Sequence, residues 1–479
     1  MIQIIIISLY LILTIFVGIL STKRKKQSSQ SFNGANLGVL MCVAVGAGEW
    51  LGGTSTSGVS EYGFNYGLSG AWYTIANAVG IIFLAVFFAK MYRKIETITV
   101  PGLMSSFVGR KTRTTASIMQ IIILIVVGTS QLIAIGSIGQ TLLGLNSSMS
   151  ILILGSIVLL YTVFGGMNAV GKTNMLHMLV MYGGVIASVV ICLLNIGGFN
   201  TLTSELPESY FDMSAIGFNK IISWIIASML GGCVAQAGLQ PVLSAKDNKT
   251  AVGASWITAL IVAPFGILTA ILGIIARYSF PELTNGKLAL PTLLMSLHPV
   301  VGGILLASIL AAILSTASPI FLSCGTIFFR DIYEPRKNDI DDKKKLVISR
   351  IATAVAGVIT IVLAILLYNM QKVLDIVYFA YSLRGSMFVV LLLGILWKKV
   401  SPLIANVAMI TTLGVGLFWV IWKQATGFYP INNYITDTYA SIIVALFITF
   451  VGSLFVNLLS KKHNGVAKNQ DVNNNNDEQ

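Results

Sequence analysis

Thirteen apolar runs follow one another along the chain, at 2–20, 37–58, 68–89, 118–143, 148–164, 175–196, 221–243, 252–276, 301–329, 347–367, 373–397, 403–422 and 440–459. Most approach the roughly 20 residues that an α-helix needs to cross the hydrocarbon core of a bilayer. Membrane β-strands are only about 10 residues long and alternate strictly, so runs of this kind exclude a β-barrel. Composition agrees, because 479 residues that are 55% hydrophobic and 10% charged leave too little polar surface for a water-soluble domain. The expected fold class is an all-α polytopic membrane protein with 13 transmembrane helices and the lipid bilayer as its surroundings. The first run has no basic residue before it and no small-residue cleavage site after it, so it reads as a retained helix.

A formal net charge of +13 raises the question of nucleic acid, and its placement answers it. With the N-terminus outside, 24 of the 31 basic residues fall in cytoplasmic segments, five fall outside, and Arg350 and Arg384 lie within runs. The positive-inside rule therefore orients the chain with its C-terminus cytoplasmic, as a multi-pass protein of the plasma membrane, and leaves no nucleic-acid partner. The polar tail, 461–479, reads as disordered. Cys42, Cys192, Cys233 and Cys324 lie in apolar runs without metal-ligand spacing and read as packing residues. GMNAVGKT, at 166–173, satisfies the P-loop pattern, but it joins the fifth and sixth runs with no strand before it, so nucleotide binding is rejected. Nothing points to an enzyme or to an obligatory protein partner.

Two runs are interrupted. The second, GVLMCVAVGAGEWLGGTSTSGVS, carries Gly46, Gly48, Gly52 and Gly53 around its middle, and the seventh, IISWIIASMLGGCVAQAGLQPVL, carries Gly231, Gly232, Gly238 and Pro241. Such residues weaken a helix, and the two runs, five apart, cross in opposite directions. Matched interruptions in oppositely oriented halves mark the central site of a secondary transporter. Glycines that merely let helices pack closely are the alternative.

Glu49 lies near the middle of the second run and Arg384 near the middle of the eleventh. An unpaired charge at that depth costs at least about 2.5–3.5 kcal/mol, so the two should pair or face a watered cavity. They form a gate, or a structural ion pair, or Arg384 holds a substrate carboxylate. Glu61 and Asp375 fall near run ends and read as solvated rim residues. Ser315 and Thr316 are adjacent hydroxyls in the ninth run. Such hydroxyls usually bond their own i−4 carbonyls, but they also suit a hard cation.

Four segments carry a family resemblance: LYTVFGGMNAVGKTN from Leu160, AAILSTASPIFLSCGTIFFRDIY from Ala311, QPVLSAKD from Gln240 and GLSGAWYTIANAVG from Gly67. They resemble the sodium:solute symporter family, whose members include proline, pantothenate, sugar and sialic acid carriers. The resemblance implies a leucine-transporter-type fold with two inverted five-helix repeats. These would occupy 35–196 and 217–399, after a first helix and loop at 1–34 and before two accessory helices at 400–460. It also implies a sodium site made by the carbonyls of Ala47, Trp50 and Ala312 and the hydroxyls of Ser315 and Thr316. Family substrate positions fall on Glu49 and Thr54, with Gln131 and Gln236 as polar neighbours and Arg384 as a further candidate. Two departures stand out. Asn174 replaces a common aspartate, which argues against a second sodium, and Arg384 stands where the family more often has a small residue.

The expected function is sodium-coupled symport of a small polar organic solute, such as a carboxylate or an amino acid, by alternating access. Sodium is the co-transported ion and the solute the only small-molecule partner. A proton-coupled transporter in which Glu49 titrates, and a non-coupled receptor or channel, are the competing readings.

Overall fold

The computed structural model describes residues 2–23, 37–95, 97–337, 341–370 and 372–459, and it is helical throughout apart from one isolated bridge. The tail expected to be disordered, and most of the loop after the first helix, lie outside the described residues. Among the described residues, ten helices are long and apolar enough to cross a membrane, or eleven if the pair Phe218–Gly232 and Gln236–Ser244, bent by 46°, is one span.

The difference from thirteen lies near the N-terminus. The first run forms a helix of 22 residues, Ile2–Lys23, whereas the second is represented by a short apolar helix, Val39–Trp50, and Thr54–Arg93 runs through as a single stretch of 40 residues. That stretch joins the end of the second run to the third through a 3-10 turn, Gly67–Ala71. Gly67 has φ +68, and a Cβ there would come within 1.9 Å of the Tyr210 carbonyl oxygen, so only glycine fits this corner.

The fifth and sixth runs remain two spans, Ser147–Phe164 and Thr173–Asn195, although α-helical backbone continues from Ser147 to Asn195 over 49 residues. Straight, such a helix would measure about 74 Å, far more than a bilayer core. The Tyr161 hydroxyl nevertheless lies 2.8 Å from Thr173 Oγ1, twelve residues on, where a straight helix would rise about 18 Å. The helix therefore bends sharply between them. Its two arms meet the same stretch of the ninth span, through Thr162 to Ser318 Oγ at 3.1 Å and Asn174 to the Ser315 carbonyl at 3.1 Å.

Helix starts follow local capping chemistry. The side chains of Asn146, Asp247 and Thr436 accept the backbone N–H groups of Met149, Thr250 and Tyr439, which the first turn of a helix leaves unpaired. Three short helices, Val100–Phe107, Phe199–Glu205 and Ala289–Met295, sit in connections that the hydropathy pattern leaves blank. The centre of the bundle is formed by the ninth span, Pro299–Ile327, buried along most of its length.

Candidate functional site

The second span breaks where its glycines cluster. Helix Val39–Trp50 ends at Leu51, whose φ −108 and ψ 65 leave the helical region, and the chain resumes as a π-helix over Thr54–Gly58. Gly52 is required by close approach, since a Cβ there would lie 2.5 Å from Thr316 Oγ1 and 2.6 Å from Gln131 Oε1. The break is sustained from outside itself. The Gly53 N–H donates to Gln131 Oε1 at 2.6 Å, and the Gly48 carbonyl accepts the Thr316 hydroxyl at 2.6 Å. A broken membrane helix is tolerated where such partners replace the lost intrahelical bonds.

Ser315 and Thr316 close this junction. Ser315 Oγ donates to the Ala312 carbonyl at 2.7 Å and lies 3.4 Å from the Gly48 oxygen, while Thr316 Oγ1 reaches the same two carbonyls at 3.4 and 2.6 Å respectively. Two hydroxyls and two carbonyls thus converge where the ninth span crosses the broken second span. An all-oxygen, uncharged set of this kind suits a hard monovalent cation, toward which the hydroxyl lone pairs turn once their protons rotate away. Of the three carbonyl positions expected from the resemblance, Ala312 is in this group, whereas the Ala47 oxygen accepts the Leu51 N–H at 2.9 Å. Trp50 lies one turn from Ala47, with its indole against Gly238. The second carbonyl of the group is that of Gly48, which the resemblance does not imply. Asn174 Nδ2 touches the Ser315 carbonyl, and its Oδ1 is buried without a hydrogen-bond partner.

Beside this group lie the two buried charges. Glu49 is 7% exposed and Arg384 1% exposed, and Arg384 Nη2 lies 3.9 Å from Glu49 Oε1. That distance is an ion pair but too long for a hydrogen bond. Arg384 stands over the Tyr381 ring at 5.1 Å. A run of hydroxyls connects this ring to the second span: Tyr381 to Tyr73 at 3.2 Å, Tyr73 to Thr54 at 2.8 Å and Gln131 Nε2 to Thr54 at 3.5 Å. Glu49, Thr54, Gln131 and Arg384 are therefore brought together. Tyr73 and Tyr381 join them, and the spacing of Tyr381, one helical turn before Arg384, is the signal that would have found it.

Gln236 is not brought to this group. Its Oε1 accepts the Val100 N–H at 2.8 Å and its Nε2 donates to the Ile98 carbonyl at 2.9 Å, so the amide anchors the segment before the fourth span. The seventh span instead contributes backbone. A Cβ on Gly231 would meet Arg384 Cβ at 3.1 Å, which sets Arg384 directly against that helix.

Contacts bridge the helices on either side of the site. Leu37 and Ala245 form a parallel bridge, with Leu37 N–H to Ser244 O at 2.9 Å and Lys246 N–H to Leu37 O at 3.0 Å, tying the start of one broken helix to the end of the other. At the opposite end Glu61, expected on a solvated rim, is only 3% exposed and accepts the Val373 N–H at 3.0 Å. The turn at Gly286–Leu288 packs over it, and hydropathy gave no sign of that cover. Asp375 is paired with Lys220 at 3.1 Å and with the Tyr62 hydroxyl at 2.6 Å, its side chain 32% exposed.

The sodium:solute symporter family model matches residues 32–416. The osmoregulated proline transporter OpuE of Bacillus subtilis is 23% identical over 92% of this chain and 94% of its own length. The high-affinity proline transporter PutP of the same organism is 25% identical, over 85% and 89% of the two chains. Among solved structures, a Na+-coupled sialic acid symporter in a substrate-bound outward-open state superposes with a TM-score of 0.74 at 17% identity, covering 95% of this chain and 98% of that one. The chain belongs to the sodium:solute symporter family.

Proposed function

We propose that this family member takes up a small polar organic solute, a carboxylate or an amino acid, together with a single sodium ion by alternating access. The observation that carries the reading is the convergence of the Ser315 and Thr316 hydroxyls on the Gly48 carbonyl of the broken second span. In this reading sodium binds among Gly48, Ala312, Ser315 and Thr316, with the neighbouring Ala47 and Trp50 carbonyls turning toward it as the break adjusts. By linking the second span to the ninth, the ion stabilises the conformation that accepts solute from outside. The solute occupies the adjoining space bounded by Glu49, Thr54, Gln131 and Arg384, and rocking of the bundle then exposes both to the cytoplasm. One positive charge moving down 100 mV gains about 2.3 kcal/mol, enough for accumulation without ATP.

The proposed topology has thirteen crossings, with the N-terminus outside and two inverted repeats over 35–196 and 217–399, and it is supported by the basic-residue asymmetry and by the matched breaks. Asn174, a neutral amide against the ninth span, supports one sodium and not two. The Bacillus relatives are named for proline and the superposed symporter for sialic acid, both carboxylate-bearing solutes, which supports that chemical class here.

Proteoliposomes test the proposal. Labelled proline, sialic acid, glucose and pantothenate are offered with an inward sodium gradient, an inward proton gradient or neither. Accumulation driven by sodium alone is expected, and uptake indifferent to sodium would contradict it.

A further inference from the structure

We infer that the solute is a zwitterion, held with its carboxylate on Arg384 and its ammonium on Glu49. The inference rests on the transport reading above and specifies the chemistry of the same site.

Two opposite charges buried side by side ordinarily close to a hydrogen-bonded pair near 2.7–2.9 Å. Glu49 and Arg384 stop at 3.9 Å, and each keeps a polar edge unused: Oε2 of Glu49 and both Nε and Nη2 of Arg384 are buried with no hydrogen-bond partner. Arg384 is fixed by its contacts with Gly231 and Tyr381, on the side of the seventh and eleventh spans, while Glu49 precedes the break of the second span. The pair thus joins the second span to the eleventh beside the seventh, and each member keeps a buried edge without a hydrogen-bond partner.

The charge balance selects the ligand. A simple carboxylate would satisfy Arg384 but set a second negative charge against Glu49, and a simple amine would set a second positive charge against Arg384. A neutral polyol satisfies neither ionic edge. A zwitterion answers both, and its insertion replaces one long ion pair with two short ones, leaving the site neutral so that sodium is the net charge carried. The aromatic wall of Trp50, Tyr73 and Tyr381, with Trp50 edge-on to Tyr381 at 6.2 Å and Tyr73 stacked on it at 6.4 Å, bounds the apolar part of such a molecule.

Thermal stabilisation of the purified full chain in sodium chloride tests this with matched probes. The twenty proteinogenic amino acids and glycine betaine form one set, their deamino carboxylic acids a second, their decarboxylated amines a third, and hexoses a fourth. Stabilisation is expected only from members of the first set. A best ligand from any other set, or no stabilisation by any zwitterion, overturns the inference. Sodium-driven uptake of a ligand from another set would leave the transport proposal standing, whereas zwitterion binding indifferent to sodium would do the reverse.

Glu49→Gln should weaken the zwitterion about ten- to a hundredfold while improving the matched carboxylic acid relative to it. Arg384→Gln should do the same in favour of the amine. Because each single variant leaves a buried charge alone, the neutral double variant Glu49→Gln/Arg384→Gln guards against misfolding: it should retain sodium-dependent stabilisation and lose the preference for zwitterions. A double variant that keeps the preference overturns the assignment of the two residues.

Discussion

The two broken helices solve the same problem in different ways. In the second span the break is completed by other helices: Gln131 of the fourth span takes the Gly53 N–H, and Thr316 of the ninth donates to the Gly48 carbonyl. In the seventh span the break completes itself, with short i→i+3 bonds from Cys233 N to Leu230 O, Val234 N to Gly231 O and Ala235 N to Gly232 O at 3.2, 3.2 and 3.5 Å. Backbone approaches it closely, since a Cβ on Gly80 would meet the Ser228 carbonyl at 2.2 Å and one on Gly232 would meet Gly80 at 3.4 Å. Partners that are side chains can be exchanged for an ion, whereas a self-bonded turn packed on glycine backbone has nothing to exchange. In the proposed mechanism the second span therefore carries the ligand chemistry, and the seventh is a shaped support beside Arg384.

That contrast predicts different phenotypes for glycine substitutions at the two breaks. Gly52→Val carries the largest expected effect, because even the first added carbon overlaps Thr316 and Gln131. Sodium-dependent stabilisation and uptake should both vanish, and a variant that still binds sodium would show that the junction is not the ion site. Thr316→Ala comes next: it removes the hydroxyl nearer Gly48 and should raise half-saturating sodium in uptake assays by about tenfold or more. Ser315→Ala, which loses a 3.4 Å contact to Gly48, should show a smaller rise.

Gln131→Leu keeps the volume but strands the buried Gly53 N–H, a loss of about 1–3 kcal/mol that should appear as a lower melting temperature. Gly231→Ala has the smallest expected effect. Its added carbon presses on Arg384 at 3.1 Å, so half-saturating solute should rise a few-fold while half-saturating sodium stays unchanged. A change in sodium alone would erase the distinction between the breaks.

Much of the fold was legible in the sequence, the division between the two breaks less so. The apolar runs located the helices, the glycine clusters located both breaks, and the depths of Glu49 and Arg384 were enough to pair them. The number of crossings was harder to read, because hydropathy is blind to the helix end at Leu51 and to the 3-10 corner at Gly67. Family resemblance pointed to Ser315 and Thr316 but not to Gly48, since which carbonyl faces outward depends on backbone angles around Leu51. Gln236 was misplaced for a related reason. On the short helix after the break it turns toward Val100, a direction set by the 46° bend and not by spacing along the chain. Glu61 seemed a rim residue because no apolar run predicts the turn that covers it.

The central claim is that sodium binds where the ninth span meets the broken second span, and it is most directly tested by melting the purified chain in sodium chloride against equal potassium chloride. Selective binding to the folded state raises its stability by RT ln(1 + [L]/Kd), so the melting temperature should climb with sodium and not with potassium. In the double variant Ser315→Ala/Thr316→Ala the sodium-specific rise should disappear. An undiminished rise in that variant would contradict the site, and equal behaviour in the two salts would contradict sodium binding in this conformation.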